Sequence, residues 1–407
     1  MMLLNKLVCL FVMFPVLGAT LVMGQTTAYT DVCLETVSPA GRVEQGVLVV
    51  RDGKIVDVGS DVTIPDDARI VNLSGKTLLP AIVDPYFVFD QGQQGGGDVR
   101  TVTFNGRTIQ IPNRGGNSGP ATFQRISEYF YPYDFDFRPA LRSGILTANL
   151  VGDGQGLSAL ANLKKDADPE MIFQSDGFVF AKVSNQTSSL DTVRRPLGAS
   201  RGGGRSNGRP GGSTGAQDSK TDPTQQAWEA VKSGERPIFV NVSNSATIAY
   251  LLKFFEDKEK IRLVLVSTGA NLYELLDQFK EFKNLSVVLE PGWDQIPYSN
   301  QFTNVAKLLH DRKIPFAFSL SLSNAQLSSS QDDPLFPVAM LVKAGLDRQT
   351  ALEALTRRPA EMLGLGDDCG SLEKGKQASF LVFDGDPLAT GSSLERIVLK
   401  GVDINEE

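Results

Sequence analysis

Pro80-Ala81-Ile82-Val83-Asp84-Pro85-Tyr86-Phe87-Val88 marks the point where the texture of this 407-residue chain changes. Upstream, everything reads as short β-structure. Residues 47–51 and 54–58 alternate apolar and polar side chains around Asp52-Gly53, a pair suited to a type I′ turn. Residues 70–73 and 77–79 add short strands around Gly75.

Downstream, apolar runs at 145–151, 178–183, 237–242, 262–266, 286–289 and 315–318 alternate with helical patterns. Ile248, Leu251, Leu252 and Phe255 recur at three- and four-residue spacing, as do Leu272, Leu275, Leu276 and Phe279. Continuous apolar strands between amphipathic helices predict a parallel sheet covered by helices, and eight such units close a barrel. Residues 379–383 and 396–399 return to β, turning through Gly385-Asp386-Pro387. The predicted fold is α/β: a (β/α)8 TIM-like barrel at 80–368 beside a small composite β-sandwich made from 25–79 and 369–407.

Two glycine-rich stretches, 91–120 and 198–222, lack periodicity and apolar mass and are expected to be flexible insertions. Residues 1–24 form a leader, with Lys6 before an apolar run from Leu7 to Leu17, and Val22 and Gly24 at the −3 and −1 positions of a cleavage site. The expectation is export to a periplasm or the exterior, with no membrane attachment once the leader is removed. An uncleaved anchor is the alternative. Cys33 and Cys369 then remain, and an oxidising compartment permits a bridge between them. A net charge of −7 and a pI near 5.1 argue against nucleic acid or an anionic membrane as partner of the body.

Four separated segments carry a resemblance. They are the hairpin at 49–59, the run from Gly75-Lys76 to Asp84, the helical pair at 351–365 (Ala-Leu-Glu-Ala-Leu-Thr-Arg-Arg-Pro-Ala-Glu-Met-Leu-Gly-Leu), and the stretch at 370–388 ending Asp384-Gly385-Asp386-Pro387-Leu388. Their order and spacing resemble the amidohydrolase superfamily, closest to imidazolonepropionase-like members, which hydrolyse C–N bonds other than peptide bonds. In that family residues 80–88 correspond to the first barrel strand, of pattern Pro-Gly-x-Ile-Asp-x-His-x-His, whose two histidines bind a catalytic metal. Here Tyr86 and Val88 stand in their places, and neither a phenol nor an isopropyl group replaces a neutral imidazole as ligand.

The other ligand positions are equally changed. The fifth-strand histidine corresponds to Asn241, the sixth-strand one to Ser267 or Thr268, and the eighth-strand aspartate to Leu320. Lys182 falls where some members carry a metal-bridging modified lysine. The chain has one histidine, His310, at the end of a helix outside the barrel. The resemblance therefore implies a scaffold without its metal, no cofactor and no catalytic residue of the family kind.

Such a protein would bind, or would support a catalytically intact relative or a second copy of itself as an accessory subunit. Asp84, Asp153, Arg194, Arg195, Glu290 and Asp294 are candidates for binding at the barrel mouth. Carboxylates among them would serve a metal-independent hydrolase, the first alternative. In the second, the chain is an interaction protein, and the arginines of the Arg/Gly-rich insertion (Arg194, Arg195, Arg201, Arg205 and Arg209) hold an anionic partner. A serine hydrolase has no support, for lack of both a nucleophile elbow and a histidine base.

Overall fold

The computed structural model describes residues 26–88, 99–104, 107–112, 123–165, 168–183, 187–198, 222–322 and 334–404. Residues 1–24, expected to be a leader, and most of the Arg/Gly-rich insertion lie outside the described residues.

Both chain ends contribute to one eight-stranded sheet. Thr27–Glu35 pairs antiparallel with Arg42–Arg51, which pairs with Lys54–Gly59. Asp52 (φ 51°) and Gly53 (φ 72°) supply the two left-handed residues that a type I′ turn requires. Thr77–Pro80 runs parallel to Thr27–Glu35 and antiparallel to Phe380–Phe383, so N- and C-terminal strands interlock. The ladders of both chain ends join in one hydrogen-bonded sheet. The reason is the length of Thr27–Glu35, which pairs with Arg69–Asn72 along its first half and Thr77–Pro80 along its second. Leu34, Leu48, Leu78, Phe380 and Val398 give the sheet a core of its own.

The larger body contains seven strands with a common parallel sense: β1 (Ile82–Val88), β2 (Ile145–Val151), β3 (Val179–Val183), β4 (Ile238–Val242), β5 (Leu263–Ser267), β6 (Leu285–Leu289) and β7 (Phe316–Phe318). β1 pairs with β2 in one sheet, and β3 to β7 pair in chain order in another. Every residue of β2, β4 and β5 is buried, which is why these strands read as unbroken apolar runs.

Between β2 and β3 the regular alternation fails. Ala159–Asn162 pairs antiparallel with β2, and Gln155–Leu157 pairs antiparallel with β3. One reversed segment, interrupted at Ser158, thus spans the two sheets where a parallel strand is expected. Gly156 permits this, since a Cβ there would stand 2.2 Å from the Gln124 carbonyl oxygen.

Ser245–Phe255 buries the predicted stripe of Ile248, Leu251, Leu252 and Phe255, and Asn244 caps it by accepting from the Thr247 amide. The second predicted helix is broken into a 3-10 turn, Leu272–Glu274, and one α-turn, Leu276–Phe279. Asp347 caps Arg348–Leu355 by accepting from the Thr350 amide at 2.8 Å.

Only the centre of the first insertion lies within the described residues. Val99–Phe104 and Arg107–Pro112 form an antiparallel hairpin. The signal was available: two alternating runs flank Asn105-Gly106, the same kind of pair as Asp52-Gly53. Ahead of the Arg/Gly-rich stretch, Thr187–Arg194 is a helix.

Candidate functional site at the strand C-termini

Parallel pairing in register brings the ends of β3 to β7 to one side of the body. Lys182 lies opposite Asn241, and Val242 opposite Ser267. Tyr86, near the end of β1, enters this cluster from the other sheet. Its ring is 2% exposed and stacks on Phe239 with centroids 6.5 Å apart. Burial pushes its hydroxyl well above the ordinary phenol range, a shift opposed by a hydrogen bond with Asn241 and reinforced by Asp153. Thr268 Oγ1 donates to Asn241 Oδ1 at 3.2 Å, beside the buried Tyr86. At the same end, Lys182 Nζ meets Asp153 Oδ1 at 2.7 Å, with both side chains largely in solvent. Such a pair contributes little stability and leaves both groups able to exchange partners.

Asp84 has a different role from the mouth residue that the sequence suggests. It is fully buried, and its carboxylate crosses from β1 to the end of β7. Oδ1 accepts from the Tyr86 amide at 3.0 Å and from Ser319 Oγ at 2.8 Å, while Oδ2 accepts from the Ser321 amide at 3.0 Å. Desolvation pushes its pKa up, and these three bonds pull the other way. β1 and β7 share no backbone ladder, so this carboxylate, together with the Tyr86 carbonyl that accepts from Ser319 and Ser321 Oγ, ties the two sheets at that edge. The alternation Ser319-Leu320-Ser321 puts both hydroxyl residues on one face. Sequence reasoning concentrated on Leu320, which is buried at 2% exposure, and passed over the serines on either side.

The remaining candidates scatter. Glu290 is half-buried just beyond β6. Asp294 belongs to a small ladder in which Asp294–Gln295 pairs with Phe302–Thr303, and partial burial raises its carboxyl pKa. Val88 closes β1, half-buried. Arg194 lies over the Phe254 ring at 5.5 Å, and Arg195 pairs with Asp191 at 2.7 Å, so both are engaged locally around their own helix. Arg201, Arg205 and Arg209 lie outside the described residues. Cys33 and Cys369 are both free thiols, so the bridge allowed by the sequence is not made in this structure. His310 closes the helix Val305–Asp311, its Nδ1 3.1 Å from Thr350 Oγ1. Among the described residues no group of three or more His, Cys, Asp or Glu side chains is arranged to hold a metal.

Comparison with known proteins fits this geometry. Residues 340–402 match the model of the family described as "Amidohydrolase family". Over 54 residues the chain is 39% identical to the dihydroorotase of Mycobacterium tuberculosis, and equally to that of Mycobacterium bovis; the match spans 13% of this chain and 13% of each relative. The solved structure of an amidohydrolase from Thermotoga maritima superposes with a TM-score of 0.69 at 19% identity, over 93% of this chain and 99% of the other. Molinate hydrolase gives 0.55 at 14% identity, over 94% and 95% of the two chains. An adenosine deaminase from Xanthomonas campestris with bound zinc gives 0.52 at 14%, over 94% and 92%. These structural likenesses concern the fold, and the family match concerns the helical pair and the C-terminal strands. Residues 340–402 thus carry the match to the amidohydrolase family model, and over most of its length the chain shares the fold of the solved amidohydrolase.

Proposed function

We propose that this chain is a non-catalytic amidohydrolase-fold protein, exported, whose two sheets form a (β/α)8-type barrel with one reversed strand. In this reading its strand C-termini bind a ligand, or a catalytically intact relative or second copy, without hydrolysing anything. The observation that carries it is Tyr86. A buried phenol, stacked on Phe239, stands at the first-strand position where the family pattern has a histidine ligand. Its hydroxyl is held protonated at neutral pH by burial, so it offers a donor and a weak acceptor in place of a metal ligand. Asn241 and Ser267 are neutral and poor ligands for a borderline divalent ion.

The relatives' names supply the activities to exclude, those of a dihydroorotase and of a molinate hydrolase. The test is elemental analysis of protein purified without added metal, followed by zinc titration and assays on imidazolone, hydantoin and dihydroorotate substrates. The expected result is neither stoichiometric metal nor turnover. Stoichiometric zinc, iron or manganese, or chelator-sensitive hydrolysis, would overturn the proposal. Turnover that resists chelators and is lost in Asp294→Asn would favour the carboxylate mechanism instead. Asp84 is a poor candidate for that role, since all three of its contacts are structural.

A further inference from the structure

At the opposite end of the strands lies a cavity of 590 Å³ that is unrelated to the Tyr86 cluster. Its floor is the start of three strands: Arg262 directly precedes β5, Ser286 is the second residue of β6, and Pro315 directly precedes β7. Three cationic side chains from three separate segments line it, Arg262, Lys313 and Arg358, with His310 beside Lys313, against one carboxylate, Glu361. That carboxylate is already engaged by Arg357 at 2.8 Å. In a protein of net charge −7, such a concentration of positive charge is local and specific.

The cations are placed in two ways. Arg358 is fixed: it lies over the Phe316 ring at 5.2 Å and pairs with Glu353 at 3.0 Å. Arg262 donates to the Glu235 backbone carbonyl, and neither it nor Lys313 forms an ion pair among the described residues. Lys313 adds an independent observation. It has φ 58°, the left-handed conformation that follows a helix end and that glycine adopts at least cost. A lysine there carries about 1 kcal/mol of backbone strain that a glycine would not. The helix dipole explains a cation at the end of Val305–Asp311, but not Arg262 and Arg358, which arrive from other elements.

We propose that this cavity binds a small tetrahedral oxyanion, phosphate or sulfate, free or as an ester, with Arg262 and Lys313 as the exchangeable cations and Arg358 as the anchored one. Guanidinium forks pair bidentately with phosphate-type oxyanions, and a flexible ammonium lining the same cavity can add a further charge-assisted bond. The inference is independent of the proposed function.

The experiment is calorimetric titration of the full chain with inorganic phosphate, pyrophosphate and sulfate, repeated on Arg262→Ala and Lys313→Gly. Lys313→Gly removes the charge while relieving the backbone, so its thermal midpoint should not fall and lost binding cannot be blamed on unfolding. The expected result is saturable binding of at least one probe, weakened roughly tenfold by each substitution, the scale of one charge-assisted hydrogen bond. Preference for phosphate or for sulfate identifies the source of the oxyanion. No binding of any probe, binding unchanged in both variants, or an equal loss in the distant control Lys232→Ala would overturn the proposal.

Discussion

Replacing Asp84 by asparagine isolates the carboxylate's share of the tie between the two sheets. The carboxyl accepts three bonds in a fully buried site, two of them from backbone amides. Ser319 Oγ also lies 3.3 Å from the Tyr86 carbonyl oxygen. Its hydroxyl can therefore turn to that carbonyl and accept a proton from Asp84 Oδ1, while Oδ1 still receives the Tyr86 amide. A protonated Asp84 is accommodated; a side-chain amide is not. Whichever way the introduced carboxamide is turned, its NH2 group faces either the Tyr86 or the Ser321 backbone N–H, leaving one buried donor unpaired. That costs about 1–3 kcal/mol, or roughly 2–6 °C in the thermal midpoint.

The pH dependence has a definite sign. The folded pKa of Asp84 is raised above its unfolded value. Its contribution to stability is therefore complete below the unfolded value of about 3.9 and declines as pH rises through the folded pKa. Asparagine does not titrate, so the gap between wild type and Asp84→Asn should be widest in acid and narrow toward neutrality. Urea unfolding monitored by circular dichroism at several pH values from about 4 to 8 measures this gap. A variant as stable as wild type throughout, or a gap that widens with pH, would refute the account of Asp84.

Glu35, with a 4% exposed side chain, is held by Arg42 at 2.8 Å and by Arg348 at 2.6 Å, and Arg348 also reaches Asp386 at 2.7 Å. Arg348→Met should destabilise by about 1–3 kcal/mol, below the range for a fully buried pair because Arg348 is a third exposed; a change under about 0.5 kcal/mol in chemical denaturation would show the network to be ornamental. Burial pushes the Cys369 thiol up to about 12, so a thiol reagent at neutral pH should label it slowly in the native protein, and denatured, unreduced chain lacking residues 1–24 should yield two thiols. Fewer than two would mean that Cys33 and Cys369 do bridge. Trypsin is expected to cut first at Arg201 or Arg205, with Arg209 protected by Pro210; first cuts within Ser245–Phe255 would contradict the packing of that helix.

Periodicity was enough to determine the parallel strands, because a strand buried on both faces has no choice but to be continuously apolar. Turn chemistry determined the Asp52-Gly53 hairpin, since few residues other than glycine, asparagine and aspartate enter the left-handed region cheaply. The expectation that Tyr86, Val88, Asn241, Ser267 and Leu320 stand at the family's metal-ligand positions comes from the resemblance in sequence alone. Tertiary structure decided the rest. The reversed segment at 155–162 depends on the close approach of the Gln124 carbonyl to Gly156, a contact between residues 32 apart in the chain. Asp84 reads as a mouth carboxylate until Ser319 and Ser321, over 230 residues away, are found bonded to it. The basic cavity is drawn from four chain segments, each ordinary alone, because charge adds in space and leaves no period along a sequence.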